Sequence, residues 1–183
     1  MPETLSSTFL IAQCIGIIAL TFNVIASLGK TRKQILIGQL LGPVFFAVHF
    51  FLLAAYVGAL VNLIVLLRTI IFQRTKHSIF WLVLFIGALV CVLTFTSKGL
   101  ITAFPVLGTM IGTYALWRDN PAAIRFFFVL SAIIWVPYTI LVNSYAGLVN
   151  QIIVSVALLI GIYRLDAGWV QKHIKRVNLF SLE

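Results

Sequence analysis

The chain has 183 residues, of which 62 % are hydrophobic and 9 % charged, and its formal net charge is +9. A soluble domain of this length could not bury so much apolar surface, so lipid is the solvent the composition requires. The basic residues, which in a soluble protein would point to nucleic acid, fall between apolar stretches, where they set membrane topology.

A transmembrane helix needs about 20 apolar residues, and the chain offers seven such stretches. Span 1 runs from about Phe9 to Leu28 and stops at Gly29, before Lys30, Arg32 and Lys33. It is too long for the apolar region of a signal peptide and lacks a basic leader, so it is expected to stay. Span 2 runs from about Gln34 to Ala54 with Pro43 inside, and span 3 from about Val57 to Phe72, ending in Arg74-Thr75-Lys76-His77. Span 4, from about Ile79 to Thr96, is nearly free of polar side chains. Span 5 covers about Leu100 to Trp117 with Pro105 inside, and the polar turn Arg118-Asp119-Asn120-Pro121 follows. Span 6 covers about Phe126 to Val142 with Pro137 inside, and span 7 about Gly147 to Tyr163. A basic tail occupies 164–183; Trp169, Val170, Ile174 and Val177 fall on one helical stripe there, which suits either a helix on an anionic membrane surface or a frayed end.

The expected fold is therefore a single all-α polytopic membrane domain over 1–183. Eleven loop and tail Lys/Arg residues fall on one side of the spans and Lys98 alone on the other. By the positive-inside rule the N-terminus is outside and the C-terminus cytoplasmic.

Internal repetition is the next signal. Gly16/Gly108, Thr21/Thr113 and Lys33/Arg125 recur at a spacing of 92, and Leu60-Val61-Asn62 returns as Leu148-Val149-Asn150 at 88. Spans 1–3 (about 9–76) then repeat as spans 5–7 (about 100–163), with span 4 (about 79–96) as a linker. This 3+1+3 order gives both repeats the same orientation, the parallel design of some transporters.

Polar residues inside spans are costly and face the bundle interior. Asn62 and Asn150 are candidates for a shared solute site, or for hydrogen bonds between helices. His49 is either a packing histidine or a ligand. Arg68 is expected to snorkel towards the cytoplasm; the alternative is a positive charge facing an anion. Gly38-xxx-Gly42 and Gly108-xxx-Gly112 are spacings that permit close helix approach. No Asp or Glu lies within a span, which favours passive facilitation over ion coupling. Cys14 and Cys91 show no metal or disulfide spacing, and no nucleophile–base pair or phosphate loop is present, so an enzyme is not expected.

Ala12-Gln13-xx-Gly16-x-Ile18-Ala19, Val48-His49-Phe50-Phe51-Leu52-Leu53, Arg68-Thr69 with Arg74-Thr75, and Pro105-Val106-x-Gly108-Thr109 resemble the YgjV family of bacterial inner membrane proteins. That family in turn looks like a distant member of the PQ-loop and SWEET-like (MtN3-like) superfamily. The resemblance implies an inner-membrane location and a central pocket faced by asparagines of spans 3 and 7, here Asn62 and Asn150. It also implies aromatic closure from spans 2 and 6, with Trp135 as the span 6 candidate and His49 or Phe46 on span 2. Hinge prolines are implied too: Pro43, Pro105 and Pro137 match, whereas Gln13 stands where span 1 would carry one.

The function expected is small-solute facilitation by alternating access at a site built from Asn62, Asn150, His49, Trp135 and Arg68, with hinges at the three prolines. The alternative is a non-transporting receptor or a partner-binding membrane protein working through its basic face. Partners implied are the lipid bilayer, a small solute and, as one option, further copies of the chain in a homo-oligomer; no nucleic acid, cofactor or metal is implied.

Overall fold

The computed structural model describes residues 6–75, 78–96 and 99–166. The tail stripe from Trp169 to Val177 and the lone opposing cation Lys98 lie outside these residues. Among the described residues all regular structure is helical: α1 (Ser7–Ser27), α2 (Arg32–Gly38), α3 (Leu41–Leu52), α4 (Tyr56–Arg74), α5 (Ile79–Phe95), α6 (Leu100–Trp117), α7 (Pro121–Leu141) and α8 (Tyr145–Leu165). Six segments are long and apolar enough to cross a membrane: α1, the α2–α3 pair, α4, α6, α7 and α8. The apolar α5, at 17 residues, is shorter.

Two helix boundaries differ from expectation, each for a local reason. Span 2 is broken rather than kinked: α2 ends at Gly38 and α3 begins at Leu41. Pro43 has no N–H to offer the Gln39 carbonyl, and its ring crowds that same carbonyl, so the helix parts one turn upstream. Span 6 begins at Pro121, not near Phe126. The Asn120 side chain accepts from the Ala122 N–H at 2.9 Å and Pro121 occupies the first helical position, a start signal read above as a turn. The shift places Arg125 one turn inside α7 instead of in a loop. At α2, Thr31 and Gln34 form a reciprocal capping box that sets the start at Arg32.

The packing order closes a ring. α1 packs on α3 and α8, α3 on α4, α4 on α6, α6 on α7, and α7 on α8. α5 lies outside it, against α4 and α6. Outward side chains such as Leu10, Ile17, Val83 and Ile152 are exposed apolar residues suited to lipid. Inside, Phe46, Phe50, Val61, Val106, Trp135 and Tyr138 form one buried cluster. Ile35, Leu36, Phe72, Phe85, Leu116 and Ile124 form a second, towards the end where α2 and α7 start.

The turns α3–α4 and α7–α8 are built alike. Ala54 and Asn143 take left-handed φ angles of 54° and 52°. In each turn the next N–H reaches back five residues: Ala55 N–H to the Phe50 carbonyl and Ser144 N–H to the Thr139 carbonyl, both 2.9 Å. Tyr56 and Tyr145 then open α4 and α8. These matched positions are 89 apart, whereas Asn62 and Asn150 are 88 apart. One residue is about 100° of helix rotation, so the two asparagines enter the ring interior at different angles.

Candidate functional site

The six crossing segments, without α5, line a central cavity of about 130 Å³. Each contributes one stripe at helical spacing: Asn23 and Ser27 from α1, Phe46 and Phe50 from α3, and Asn62, Val65 and Arg68 from α4. Thr109 and Gly112 come from α6, Phe128, Ser131 and Trp135 from α7, and Gly147, Asn150 and Val154 from α8. Gln39, exposed by the break between α2 and α3, and Pro43 also reach it.

Asn62 and Asn150 both line the cavity, but they do different things. Asn62 Nδ2 donates to its own helix at the Gly58 carbonyl, 2.8 Å. Asn150 Oδ1 accepts from Asn23 Nδ2 at 3.1 Å, tying α8 to α1. Asn23 thus belongs to the cavity lining as well. Gly42 lets it in: a side chain at 42 would collide with the Asn23 amide. Gly108 likewise leaves room for the Trp135 ring, which a Cβ there would meet at 2.5 Å. The glycine spacings noted above thus admit site side chains.

Arg68 does not snorkel. Its side chain is held inside the bundle, 3 % exposed, and lines the cavity. Nη1 donates to Thr113 Oγ1 at 2.9 Å and approaches the Thr109 carbonyl at 3.5 Å. No carboxylate pairs with it among the described residues, and its Nε has no hydrogen-bond partner. Two more lining atoms, Gln39 Oε1 and Thr109 Oγ1, are buried and equally without partners.

His49 stands outside the cavity lining. It is fully buried, with Nδ1 2.6 Å from the Ala12 carbonyl and Nε2 2.6 Å from Ser144 Oγ. A carbonyl only accepts, so Nδ1 carries the proton and Nε2 accepts from the Ser144 hydroxyl. Ser144 Oγ in turn accepts from the Gly147 N–H and caps α8. Of the three prolines, only Pro43 lines the cavity and breaks its helix; Pro105 and Pro137 sit within continuous helices.

Polar ties join the helices beyond both ends of the cavity. At the end where α4 and α8 begin, Tyr138 Oη accepts from the Gly58 N–H at 2.8 Å and donates to the Ala55 carbonyl at 3.3 Å. Gln13 there bridges the Asn143 carbonyl and the Ala146 N–H. At the other end Arg32 donates to the Phe72 and Leu116 carbonyls, both 3.0 Å, and pairs with Asp119 at 3.6 Å. Arg125, fully buried, pairs with Asp166 and donates to the Gly29 carbonyl at 2.7 Å.

Of the site expected from sequence, Asn62, Asn150, Trp135 and Arg68 line the cavity and His49 does not, while Asn23, Gln39 and Thr109, which were left out of it, do. Spacings of three and four from known lining residues, as in Thr109–Gly112 and Gln39–Pro43, carry the signal that would have found two of them. Among the described residues no group of His, Cys, Asp and Glu could hold a metal ion.

A family model described as a bacterial inner membrane protein matches residues 10–168. No curated protein matches the chain. No solved structure matches it either.

Proposed function

The chain belongs to the Imp-YgjV family of bacterial inner membrane proteins, and from that premise we propose that it is a passive facilitator of a small solute, not an enzyme, working by alternating access at the central cavity. The observation that carries this reading is the cavity itself: six crossing segments line it, the short α5 stays out, and three buried polar atoms in its wall lack partners. Buried polar atoms are ordinarily satisfied, so such a wall suits a polar guest.

Two three-helix repeats, α1–α4 and α6–α8, with α5 as linker, are part of the proposal. The ring of contacts maps onto itself when α1, α3 and α4 are exchanged with α6, α7 and α8. The matched turns at Ala54 and Asn143 support the same exchange. So do the paired ties, since Arg32 reaches the ends of α4 and α6 while Arg125 reaches those of α8 and α1. The eleven-to-one distribution of basic residues supports an outside N-terminus and a cytoplasmic C-terminus. The arginine ties would then close the cytoplasmic end, and the Tyr138 and Gln13 ties the outer one. The break at Gln39 and Leu40 is the natural hinge, because Pro43 has no N–H for the Gln39 carbonyl and the Leu40 N–H has shifted to the Ile37 carbonyl, three residues back; Pro105 and Pro137 are secondary flex points. The likeness to SWEET-like proteins noted from sequence agrees with this design.

Reconstituted in proteoliposomes, the protein is expected to equilibrate at least one member of a panel of labelled sugars, nucleosides, vitamins and small organic acids. Uptake should saturate and should not rise with an imposed proton or sodium gradient. Concentrative uptake would refute passive facilitation, and an inert response across the panel would count against transport.

A further inference from the structure

Among the described residues, Arg68 is the only charged one in the cavity wall. It is 97 % buried, its Nη1 is met by a neutral hydroxyl, and its Nε meets nothing. A buried cation with no anion beside it is a standing cost to the fold, and structures retain such groups where a ligand completes them. The guanidinium presents a planar fork that matches a carboxylate. Thr109, whose backbone carbonyl Nη1 approaches at 3.5 Å, adds an unpartnered hydroxyl to the residues lining the same cavity, one turn before Thr113 on the same helix.

The rest of the wall limits the guest further. One cation balances one negative charge; a dianion would bring an uncompensated charge into a low-dielectric site. Phe46, Phe50, Phe128 and Trp135 supply apolar faces. A cavity near 130 Å³ is of the order of the about 150 Å³ engineered cavity that admits benzene. We propose that the cavity binds a small organic monocarboxylate, its carboxylate seated on Arg68 and Thr109 and its apolar body against the aromatic wall. The inference deepens the facilitator reading by naming the solute class, and it rests on that reading only in treating the cavity as the solute site.

Binding can be measured without transport. The purified protein in detergent is titrated with sodium propionate, sodium benzoate, sodium chloride at equal ionic strength, and glucose, and its unfolding temperature is followed. The two carboxylates should stabilise it saturably, while chloride and glucose should not. Arg68→Gln should weaken the carboxylate response about 10- to 100-fold, the range for a hydrogen bond to a charged group, and Arg68→Lys should fall between, having charge without the fork. Thr109→Val removes a hydroxyl that has no protein partner, so it should fold normally and weaken binding several-fold. Without ligand, Arg68→Gln should unfold no lower than the parent, because it relieves the unpaired charge.

A chloride response equal to that of the carboxylates, or a carboxylate response untouched by Arg68→Gln and Thr109→Val, overturns the proposal. So does an Arg68→Gln variant that loses its fold, which would assign the arginine to packing. Arg68-dependent binding with no flux in proteoliposomes would sink the transport reading alone; flux of a neutral solute with no carboxylate binding would sink this inference alone.

Discussion

Asp166→Ala is expected to destabilise the protein by about 3 kcal/mol, the lower end of the range for breaking a buried ion pair. Arg125 is fully buried one turn into α7, and Asp166, just past the end of α8, supplies its only carboxylate among the described residues. Without it a buried guanidinium keeps only the Gly29 carbonyl. The lower end applies because the Asp166 side chain remains 12 % exposed and water can enter its place. Gly161 confines the response: its missing side chain leaves just enough room for the Arg125 stem, 3.0 Å from where a Cβ would stand, so the arginine has little freedom to move away. Unfolding of the purified protein in detergent measures the effect. Arg125→Met combined with Asp166→Leu should recover most of the loss, since an apolar pair replaces the ionic one. Asp119→Ala at the matching tie should cost under about 1 kcal/mol, because its contact to Arg32 is longer, at 3.6 Å, and Asp119 is half exposed. Equal losses at both aspartates would show that burial does not set their worth.

His49→Ala should cost roughly 3 kcal/mol, from the cavity it leaves and from the partners it strands. The ring joins α3 to the Ala12 carbonyl of α1 and to Ser144, which caps α8. Its neighbours are tight: Gly16 lies against the imidazole, and Phe46 and Phe50 pack on it at ring separations of 5.7 and 5.0 Å. Ser144→Ala removes one of the two bonds and should cost less, about 1–2 kcal/mol. The informative comparison is with ligand binding. A tie outside the cavity predicts lower unfolding temperature with unchanged solute preference in whatever fraction folds. A His49 variant of normal stability but altered preference would instead place the imidazole in the solute site.

Much of this was open to reading from the chain. Composition demanded lipid, the six longest segments were delimited to within a few residues apart from the start of α7, and Asn62 and Asn150 do face the interior. What escaped depended on rotation and on distant partners. The partner that holds Arg68 in the bundle, Thr113 on α6, lies 45 residues away. Asn62 and Asn150 share three letters of sequence, yet the turns before α4 and α8 set them one residue out of register; one serves its own helix and the other binds Asn23. His49 looked like an unpaired titratable group because its partners lie 37 and 95 residues off. Two errors were avoidable. Pro43 points to a break at Gln39 by simple counting, and Asn120-Pro121 is a helix start as much as a turn.

Alternating access can be tested before any solute is identified, by placing one cysteine at Ser131, a cavity-lining residue whose hydroxyl bonds the Gly108 carbonyl. Cys14 and Cys91, both exposed, are first changed to serine. A membrane-impermeant thiol reagent is then applied to right-side-out and to inside-out vesicles. A cavity that opens in turn to each face predicts labelling of Ser131→Cys from both sides. Labelling from one side alone, or from neither while the denatured protein labels fully, would contradict it.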